Sequence, residues 1–208
     1  MTAASPRSNS PCPDSPCPEV VLVRHGETEW SLSGQHTGRT DIPLTAHGEE
    51  VARRLAPPLA ARRFRRVLCS PLQRARRTCA LAGLDGQAEI EPDLLEWDYG
   101  AYEGRTPAEI RAERPDWLVF RDGCPGGESP DAVAARVDRV IERARAVDGP
   151  VALFAHGHVL RVLGARWIGL PPTGGAHFLL DTSTLTVLSW YRGQPAIRCW
   201  NAPLEPLV

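Results

Sequence analysis

Four basic side chains, far apart in the sequence, stand at or shortly after the ends of short apolar runs: Arg24, His25, Arg74 and His156. A neutral imidazole can act as a nucleophile, and a guanidinium offers a planar fork of donors that matches the oxygens of a phosphate dianion. These residue types point to the transfer of a phosphoryl group, with His25 as the nucleophile. The neighbouring arginine charges disfavour an imidazolium, which favours a neutral, reactive His25.

The elements that must position these side chains follow from the apolar pattern. Apolar runs separated by helical stretches predict an α/β three-layer sandwich, with a mostly parallel central sheet and helices on both faces. Ligands bind such sheets beyond the carboxyl ends of the strands, so we expect the four side chains to converge on one crevice. The predicted strands are residues 20–23, 67–69, 151–155, 178–180, 184–190 and 196–200, and the predicted helices are residues 46–63, 71–81, 131–146 and 159–167.

Hydroxyl residues mark several predicted helix starts. Thr45 and Ser129 stand at N-cap positions, and Thr106 begins a capping-box pattern. Ser70 is also a predicted N-cap, with the proline after it at the first helical position. This start would place Arg74 in the first helical turn, where its side chain leans back toward the crevice.

A nucleophilic histidine also needs a proton donor for the leaving group. Glu96 and Asp98 lie beside Trp97 and Tyr99 in the sequence. Partial desolvation by these rings would raise the pKa of a carboxyl group, as a general acid requires. The residues alone do not separate Glu96 from Asp98.

The run at residues 24–28, Arg-His-Gly-Glu-Thr, resembles the signature of the histidine phosphatase superfamily, also called the phosphoglycerate mutase-like family. Further motifs of the family follow in the family's order, so the similarity covers nearly all of the chain after the first eighteen residues. Several motifs in order are far more specific than any one of them. The further motifs lie at residues 37–45, 70–78, 95–104, 127–129 and 156–157.

The resemblance implies a role for each matching position. His25 would carry the phosphoryl group, Glu96 rather than Asp98 would donate the proton, and no metal or other cofactor is needed. Ser31 stands where many members have asparagine, and its shorter side chain can still donate a hydrogen bond. The candidate phosphate-binding and substrate-binding positions are Arg24, Ser31, Thr37, Gly38, Arg74, Tyr99, His156, Gly157 and His158.

Two reactions in this family share a phosphohistidine: a phosphatase releases the phosphoryl group to water, and a mutase returns it to another hydroxyl. The runs at 31–38 and 96–100 are similar to a branch that includes acid phosphatases and sedoheptulose-bisphosphatase-like enzymes, and the stretch 111–115 lacks an adjacent basic pair for a phosphoglycerate carboxylate. We therefore expect a metal-independent phosphomonoester hydrolase for a small sugar phosphate or bisphosphate. A phosphoglycerate mutase and a catalytically silent phosphate-binding module are the alternatives.

Other uses of the basic residues are less well supported. His156 and His158 could ligate a metal, but no cluster of carboxylates or thiols accompanies them, and nearby arginines would repel a cation. The nine arginines between residues 53 and 77 resemble a nucleic-acid patch, yet the net charge of −1 favours a solvated surface. His36 and His47 are expected in loops or on the surface.

The 208 residues are expected to form one domain at 19–208 after a disordered tail, residues 1–18, that is rich in proline and serine. The aromatic-rich crossover at about 97–129 is expected to form a small lid insertion over the pocket. No stretch predicts a membrane span or a signal peptide, so we expect a cytoplasmic protein. Its expected partner is a small phosphorylated metabolite, not nucleic acid or a membrane, and a monomer and a homodimer both stay open.

Overall fold

The computed structural model describes residues 18–204, which are built around one six-stranded sheet. The strands are β1 (Val20–Arg24), β2 (Arg66–Cys69), β3 (Ala88–Ile90), β4 (Val151–Ala155), β5 (Leu185–Tyr191) and β6 (Gln194–Ala202). Their order across the sheet is β3-β2-β4-β1-β5-β6. Strands β1 to β4 run parallel to one another, while β5 is antiparallel to both β1 and β6. The carboxyl ends of β1 and β4 therefore lie side by side.

Eight α-helices connect and cover the strands within the described residues. They are α1 (Glu29–Ser33), α2 (Ala46–Arg53), α3 (Ala56–Ala60), α4 (Gln73–Leu81), α5 (Pro107–Glu113), α6 (Val119–Asp122), α7 (Pro130–Arg145) and α8 (Gly157–Trp167). Short 3₁₀ segments add turns at Asp85–Gln87, Pro92–Leu94, Gly100–Tyr102 and Pro172–His177. The predicted caps Thr45, Thr106 and Ser129 are confirmed, because each side chain accepts a backbone N–H of the helix that follows.

Both faces of the sheet are buried by helices. Successive side chains of a strand point to opposite faces. In β1, Val20 and Leu22 join the larger core cluster with α7 and α8, whereas Val21 and Val23 join the cluster with α3 and α4. The predicted three-layer α/β fold is confirmed.

The helix predicted over residues 46–63 is instead two short helices. α2 ends at Arg53, and α3 begins at Ala56 with a proline in its first turn. Pro57 and Pro58 explain the break, because they have no backbone N–H groups to bond the carbonyls of Arg53 and Arg54 in a continuous helix.

The predicted N-cap at Ser70 is wrong. α4 begins at Gln73, and Leu72 occupies the cap position without a side-chain hydrogen bond. Asp41 replaces the missing cap, since its Oδ1 accepts the Gln73 N–H at 2.8 Å. The Ser70 hydroxyl lies 2.7 Å from Nε2 of His156 instead.

Four further elements differ from the prediction, and one of them is the unpredicted four-residue helix α6. Residues 178–180 are not a strand, and the Leu180 carbonyl accepts a hydrogen bond from Arg24. The short strand β3 and the short helix α1 were not predicted; α1 is set by a capping box between Thr28 and Ser31. All four differences involve five residues or fewer, too few to give a clear period in the sequence.

The crossover between residues 97 and 129 is packed tightly into the larger core cluster. Trp97, Tyr102, Ile110, Trp117 and Phe120 are all buried there. The segment therefore forms a wall of the domain, while its expected role in selecting the substrate stays a prediction.

The predicted disordered tail, residues 1–18, lies outside the described residues except for Pro18. That residue is buried, and its carbonyl accepts a hydrogen bond from Trp190 at 3.2 Å. Among the helices described at 18–204, none has the length and apolar content to cross a membrane.

Candidate active site

A cavity of about 200 Å³ opens beside the carboxyl ends of β1 and β4. The sequence-predicted residues in its wall are Arg24, His25, Ser31, Thr37, Glu96, Tyr99, Gly157 and His158. Three other predicted residues, Gly38, Arg74 and His156, do not line the cavity, although His156 lies against His25. The chain fold thus brings most of the predicted site to one place.

His25 is held in the tautomer that a nucleophile needs. Its Nδ1 lies 2.7 Å from the Gly26 carbonyl, which can only accept, so Nδ1 carries the proton and Nε2 keeps its lone pair. The side chain is 5% exposed, and burial, with help from the Arg74 and Arg24 charges, holds the pKa of His25 well below its usual range. His25 is therefore neutral at physiological pH.

His156 lies with its ring centroid 5.2 Å from that of His25. Its Nδ1 accepts from Arg74 Nε at 3.1 Å, so Nε2 carries the proton and donates it to Ser70 at 2.7 Å. Burial first, and then the Arg74 charge, lowers the pKa of His156 well below the usual value. The Nε2–H is the donor for which a bound phosphate would compete with Ser70.

Arg74 is fully buried and most of its donors are already engaged. Its Nη2 donates to the carbonyls of Thr37 and Gly38, both at 3.0 Å, and its Nη1 donates to the Thr40 carbonyl at 2.9 Å. In this arrangement Arg74 positions His156 and the loop at 37–40 and adds positive charge behind the cavity, and its place in the phosphate pocket stays a prediction.

Arg24 is the predicted arginine that reaches the cavity itself. Its Nη1 donates to the Leu180 carbonyl, and its Nε is buried without a hydrogen-bond partner among the described residues. A side chain at Gly157 would begin 3.4 Å from this guanidinium, so the glycine keeps the approach open.

Glu96 is fixed at the start of α8 by three backbone N–H groups. Oε1 accepts from Trp97 at 2.8 Å and Val159 at 2.9 Å, whereas Oε2 accepts only from His158 at 3.0 Å. Oε2 therefore has the spare lone pair at which a transferable proton can sit. The other carboxylate left open by the residues, Asp98, does not line the cavity and lies 3.6 Å from Arg39, which favours Glu96.

Tyr99 and His158 form a neutral pair in the cavity wall, with Tyr99 Oη 2.5 Å from His158 Nδ1. Burial raises the pKa of Tyr99 well above its usual range and lowers that of His158 well below its own. His36 stacks on Tyr99 with centroids 4.5 Å apart, and burial lowers its pKa to about 4. His36 lies in a loop, as predicted, but it is buried, with 7% of the residue exposed, and lines the cavity.

The Ser31 hydroxyl, which was predicted to contact the substrate, is hydrogen-bonded within the chain. Its hydroxyl donates to the Thr28 carbonyl at 2.8 Å and accepts the Thr28 N–H at 2.9 Å, closing the first turn of α1. A phosphate oxygen could accept a hydrogen bond from this hydroxyl only if the turn opened.

Thr37 and Gly38 differ in their position relative to the cavity. Thr37 lines the cavity, and its hydroxyl donates to Gln35 at 3.3 Å. The Gly38 N–H donates to Glu103 Oε1 at 2.8 Å, and the expected place of this backbone beside the phosphate stays a prediction. A side chain there would meet the Trp97 carbonyl at 2.5 Å, which explains why the position needs glycine.

Arg161 is the main cavity residue that the sequence interpretation missed, together with His36. It lies on α8 three residues after His158 and four after Gly157, so all three share one helix face. That spacing was visible in the sequence and could have identified Arg161. Within residues 18–204, no group of three or more His, Cys, Asp or Glu side chains is placed as a metal-ligand set.

Comparison with known proteins places this geometry in a family. The model of the histidine phosphatase superfamily (branch 1) matches residues 20–203. An acid phosphatase of Mycobacterium tuberculosis is 39% identical over 178 residues, which cover 84% of this chain and 87% of the relative. A sedoheptulose 1,7-bisphosphatase of Saccharomyces cerevisiae is 38% identical over 185 residues, which cover 72% of this chain and 67% of the relative. The solved structure of a Mycobacterium tuberculosis open reading frame product has a TM-score of 0.86 and 35% identity, covering 90% of this chain and 99% of that one.

The chain therefore belongs to the histidine phosphatase superfamily. The family resemblance and the enzyme class expected from the sequence, a phosphoric monoester hydrolase, are confirmed.

The low pKa of His25 gives an expected pH dependence. Because burial and the arginines keep the ring neutral well below its usual pKa, we expect kcat/KM to show no acid limb from His25 between about pH 7 and about pH 5.5. The measurement is initial rates across this range with one substrate, corrected for the substrate's own ionisation. An apparent pKa close to the usual histidine value, absent from the substrate, would contradict it.

The free energy of unfolding, unlike the rate, should depend on pH in this range. In the unfolded chain His25, His156 and His158 take up protons near their usual pKa, whereas the folded chain binds them only at lower pH. The free energy of unfolding therefore falls as the pH drops below the usual histidine pKa. Rates should accordingly be measured within seconds of the pH change.

Proposed function

We propose that this chain is a metal-independent phosphomonoester hydrolase that uses a phosphohistidine at His25 and acts on a small sugar phosphate or bisphosphate. The single observation that carries the proposal is the neutral His25, whose proton is fixed on Nδ1 by Gly26 while Arg24 lines the same cavity. This combination supplies a nucleophilic lone pair beside a binding group for a phosphate dianion.

In the first step, His25 Nε2 forms a bond to phosphorus while the bond from phosphorus to the ester oxygen breaks. The proton of Glu96 moves to that oxygen, and the alcohol leaves. In the second step, water attacks the phosphorus and gives its proton to the Glu96 carboxylate, and the nitrogen–phosphorus bond breaks. Phosphate and neutral His25 result, so Glu96 acts first as acid and then as base.

The size of the cavity supports a small substrate. About 200 Å³ is below the roughly 300–1,000 Å³ of common ligand pockets. The relatives named above, an acid phosphatase and a sedoheptulose bisphosphatase, act in keeping with their names on phosphate esters, and they favour a sugar phosphate or bisphosphate here.

A phosphoglycerate mutase stays the second candidate. Its carboxylate partner was sought in the stretch 111–115, but Arg111 donates to the Trp117 carbonyl at 3.4 Å and Arg114 to the Tyr102 hydroxyl at 3.3 Å. Neither arginine lines the cavity, which favours hydrolysis. A silent phosphate-binding module is disfavoured because both the nucleophile and the acid line the cavity.

A phosphate-release screen over sugar phosphates and bisphosphates, with phosphoglycerate interconversion assayed in parallel, tests the proposal. We expect phosphate release that is unchanged by EDTA. Loss of turnover in EDTA that zinc restores would overturn metal independence. Interconversion without phosphate release would identify a mutase, and neither reaction would favour the silent module.

A further inference from the structure

The backbone of Gly26, directly after the nucleophile, is held from two sides. On one side α2 packs against it so closely that a Cβ atom at Gly26 would lie 2.7 Å from the Gly48 carbonyl oxygen. On the other side its N–H donates to the hydroxyl of Thr78, on α4, at 2.9 Å. Gly26 is also the residue whose carbonyl oxygen lies 2.7 Å from His25 Nδ1. The two contacts therefore fix the group that sets the tautomer of His25.

The Thr78 hydroxyl forms two hydrogen bonds at once. Besides accepting from Gly26, it donates to the Arg74 carbonyl, four residues earlier in α4, at 2.8 Å. A helical threonine commonly bonds the carbonyl four residues before it, and this bond uses the hydroxyl proton and leaves lone pairs for a second partner. Thr78 is fully buried, so solvent does not compete for either bond. The hydroxyl thus joins the strand end that carries His25 to the helix that carries Arg74.

The side chain of Arg74 extends this connection to the second histidine of the site. Its Nε donates to His156 Nδ1 at 3.1 Å, and the ring centroids of His156 and His25 lie 5.2 Å apart. A continuous path of covalent and hydrogen bonds therefore joins the two histidines, and Thr78 lies in the middle of it. Thr78 does not line the cavity, so it can act on the reaction only through the residues that it holds.

We propose that Thr78 is a positioning residue, whose hydroxyl keeps His25 in the Nδ1–H tautomer and aligns this nucleophile with His156. This inference rests on the hydrolase function proposed above and adds a residue that acts from behind the reacting groups. Without the hydroxyl, the Gly26 N–H would be a buried donor with no acceptor, and its peptide group would shift towards another one. The Gly26 carbonyl would then move away from His25 Nδ1, and the preference for a proton on that nitrogen would weaken.

A simpler explanation is that Thr78 only satisfies a buried backbone N–H and thereby stabilises the fold. Removal of the hydroxyl would then lower the free energy of unfolding, but it would leave the His25 tautomer and the turnover of the folded protein unchanged. The two explanations therefore differ in the state of the His25 ring, and a measurement on that ring separates them.

The test compares Thr78→Val, which keeps the shape of the side chain but lacks the hydroxyl, with Thr78→Ser, which keeps the hydroxyl. The His25 tautomer is read by NMR of protein labelled with ¹⁵N in its histidine rings, and the His25 signals are those missing from His25→Ala. On the same samples kcat and KM are measured with p-nitrophenyl phosphate, whose leaving group needs no proton. Ser129→Ala is the matched control, because its hydroxyl also accepts a backbone N–H but lies at the start of α7, outside the cavity wall.

In Thr78→Val we expect the shifts of the two His25 ring nitrogens to move towards each other, which is the sign of a mixture with the Nε2–H tautomer. We expect kcat to fall about 10- to 100-fold while KM changes less than about threefold, since a small displacement of the nucleophile affects the reaction more than binding. Thr78→Ser should keep the wild-type His25 shifts and a kcat within about threefold of the wild type. Ser129→Ala should lose stability only.

Unchanged His25 shifts in folded Thr78→Val, or an unchanged kcat, would overturn the proposal. An equal loss of kcat in Thr78→Val and Thr78→Ser would overturn it as well, because the hydroxyl would then not be the cause. Thermal unfolding verifies each fold, and if Thr78→Val does not fold, Thr78→Ala takes its place with the same expected changes. If the wild type releases no phosphate from p-nitrophenyl phosphate or the sugar phosphates of the screen, the hydrolase function fails, while the NMR spectra still test whether Thr78 fixes His25.

Discussion

The His25→Ala variant is expected to release no measurable phosphate, with kcat lowered by roughly 10⁴-fold or more. The cause is the loss of the free lone pair that the Gly26 contact keeps on His25 Nε2, in the cavity that Arg24 also lines. Water held in its place has no equivalent nucleophilicity and no Gly26 carbonyl to orient it. The measurement is steady-state phosphate release from a substrate that the wild type hydrolyses readily.

His47→Ala is the matched control for this change. His47 is an exposed residue of α2, so its removal deletes an imidazole without touching the cavity. Wild-type turnover is expected. Substantial activity in the His25 variant, with its fold verified by thermal unfolding, would be incompatible with a phosphohistidine at this position.

The Glu96→Gln variant is expected to lose about 10²- to 10³-fold in kcat with alkyl phosphates, whose leaving groups need a proton. With p-nitrophenyl phosphate the loss should be much smaller, since p-nitrophenolate leaves without one. Glutamine can still accept the N–H groups of Trp97 and Val159 through its carbonyl oxygen, although its amide faces the His158 N–H.

Asp98→Asn provides the control for Glu96. Asp98 accepts the Gly100 N–H at 3.0 Å and does not line the cavity, so its loss should leave the dependence on the leaving group unchanged. Equal losses for Glu96→Gln with both kinds of leaving group would show that Glu96 only organises the start of α8.

The parts of the fold that the sequence predicts well are those whose burial is continuous. β1 and β4 are buried on both faces, so they appear as unbroken apolar runs, and the residues that follow them are set at the crevice by topology alone. Caps such as Thr45 and Thr106 are local, because the hydroxyl bonds an N–H three residues away. Long-range structure is not needed for either prediction.

Predictions from the sequence fail where a side chain can bond either a neighbour in the sequence or a distant residue. Ser70 has the local sequence pattern of an N-cap, yet its hydroxyl is hydrogen-bonded to His156, eighty-six positions away. Glu103 likewise accepts the Gly38 N–H from sixty-five positions away. Arg74 donates to three backbone carbonyls of the loop at 37–40, at least thirty-four positions away. No short sequence pattern records such contacts.

His36 and Arg161 were missed for different reasons. His36 is buried only because Tyr99 and Trp117, more than sixty positions away, pack against it. Arg161 follows from the helical period of α8, but its place in the cavity wall depends on how α8 packs beside the strands, which only the three-dimensional structure reveals.

The most direct test of the account is to trap the phosphoryl enzyme. Wild-type protein mixed rapidly with ³²P-labelled substrate and quenched in alkali should carry label that survives base, is lost in acid and maps to His25. The His25→Ala variant should carry none. Turnover without a trapped adduct under conditions where breakdown is slow, or label on any residue other than His25, would contradict the central claim.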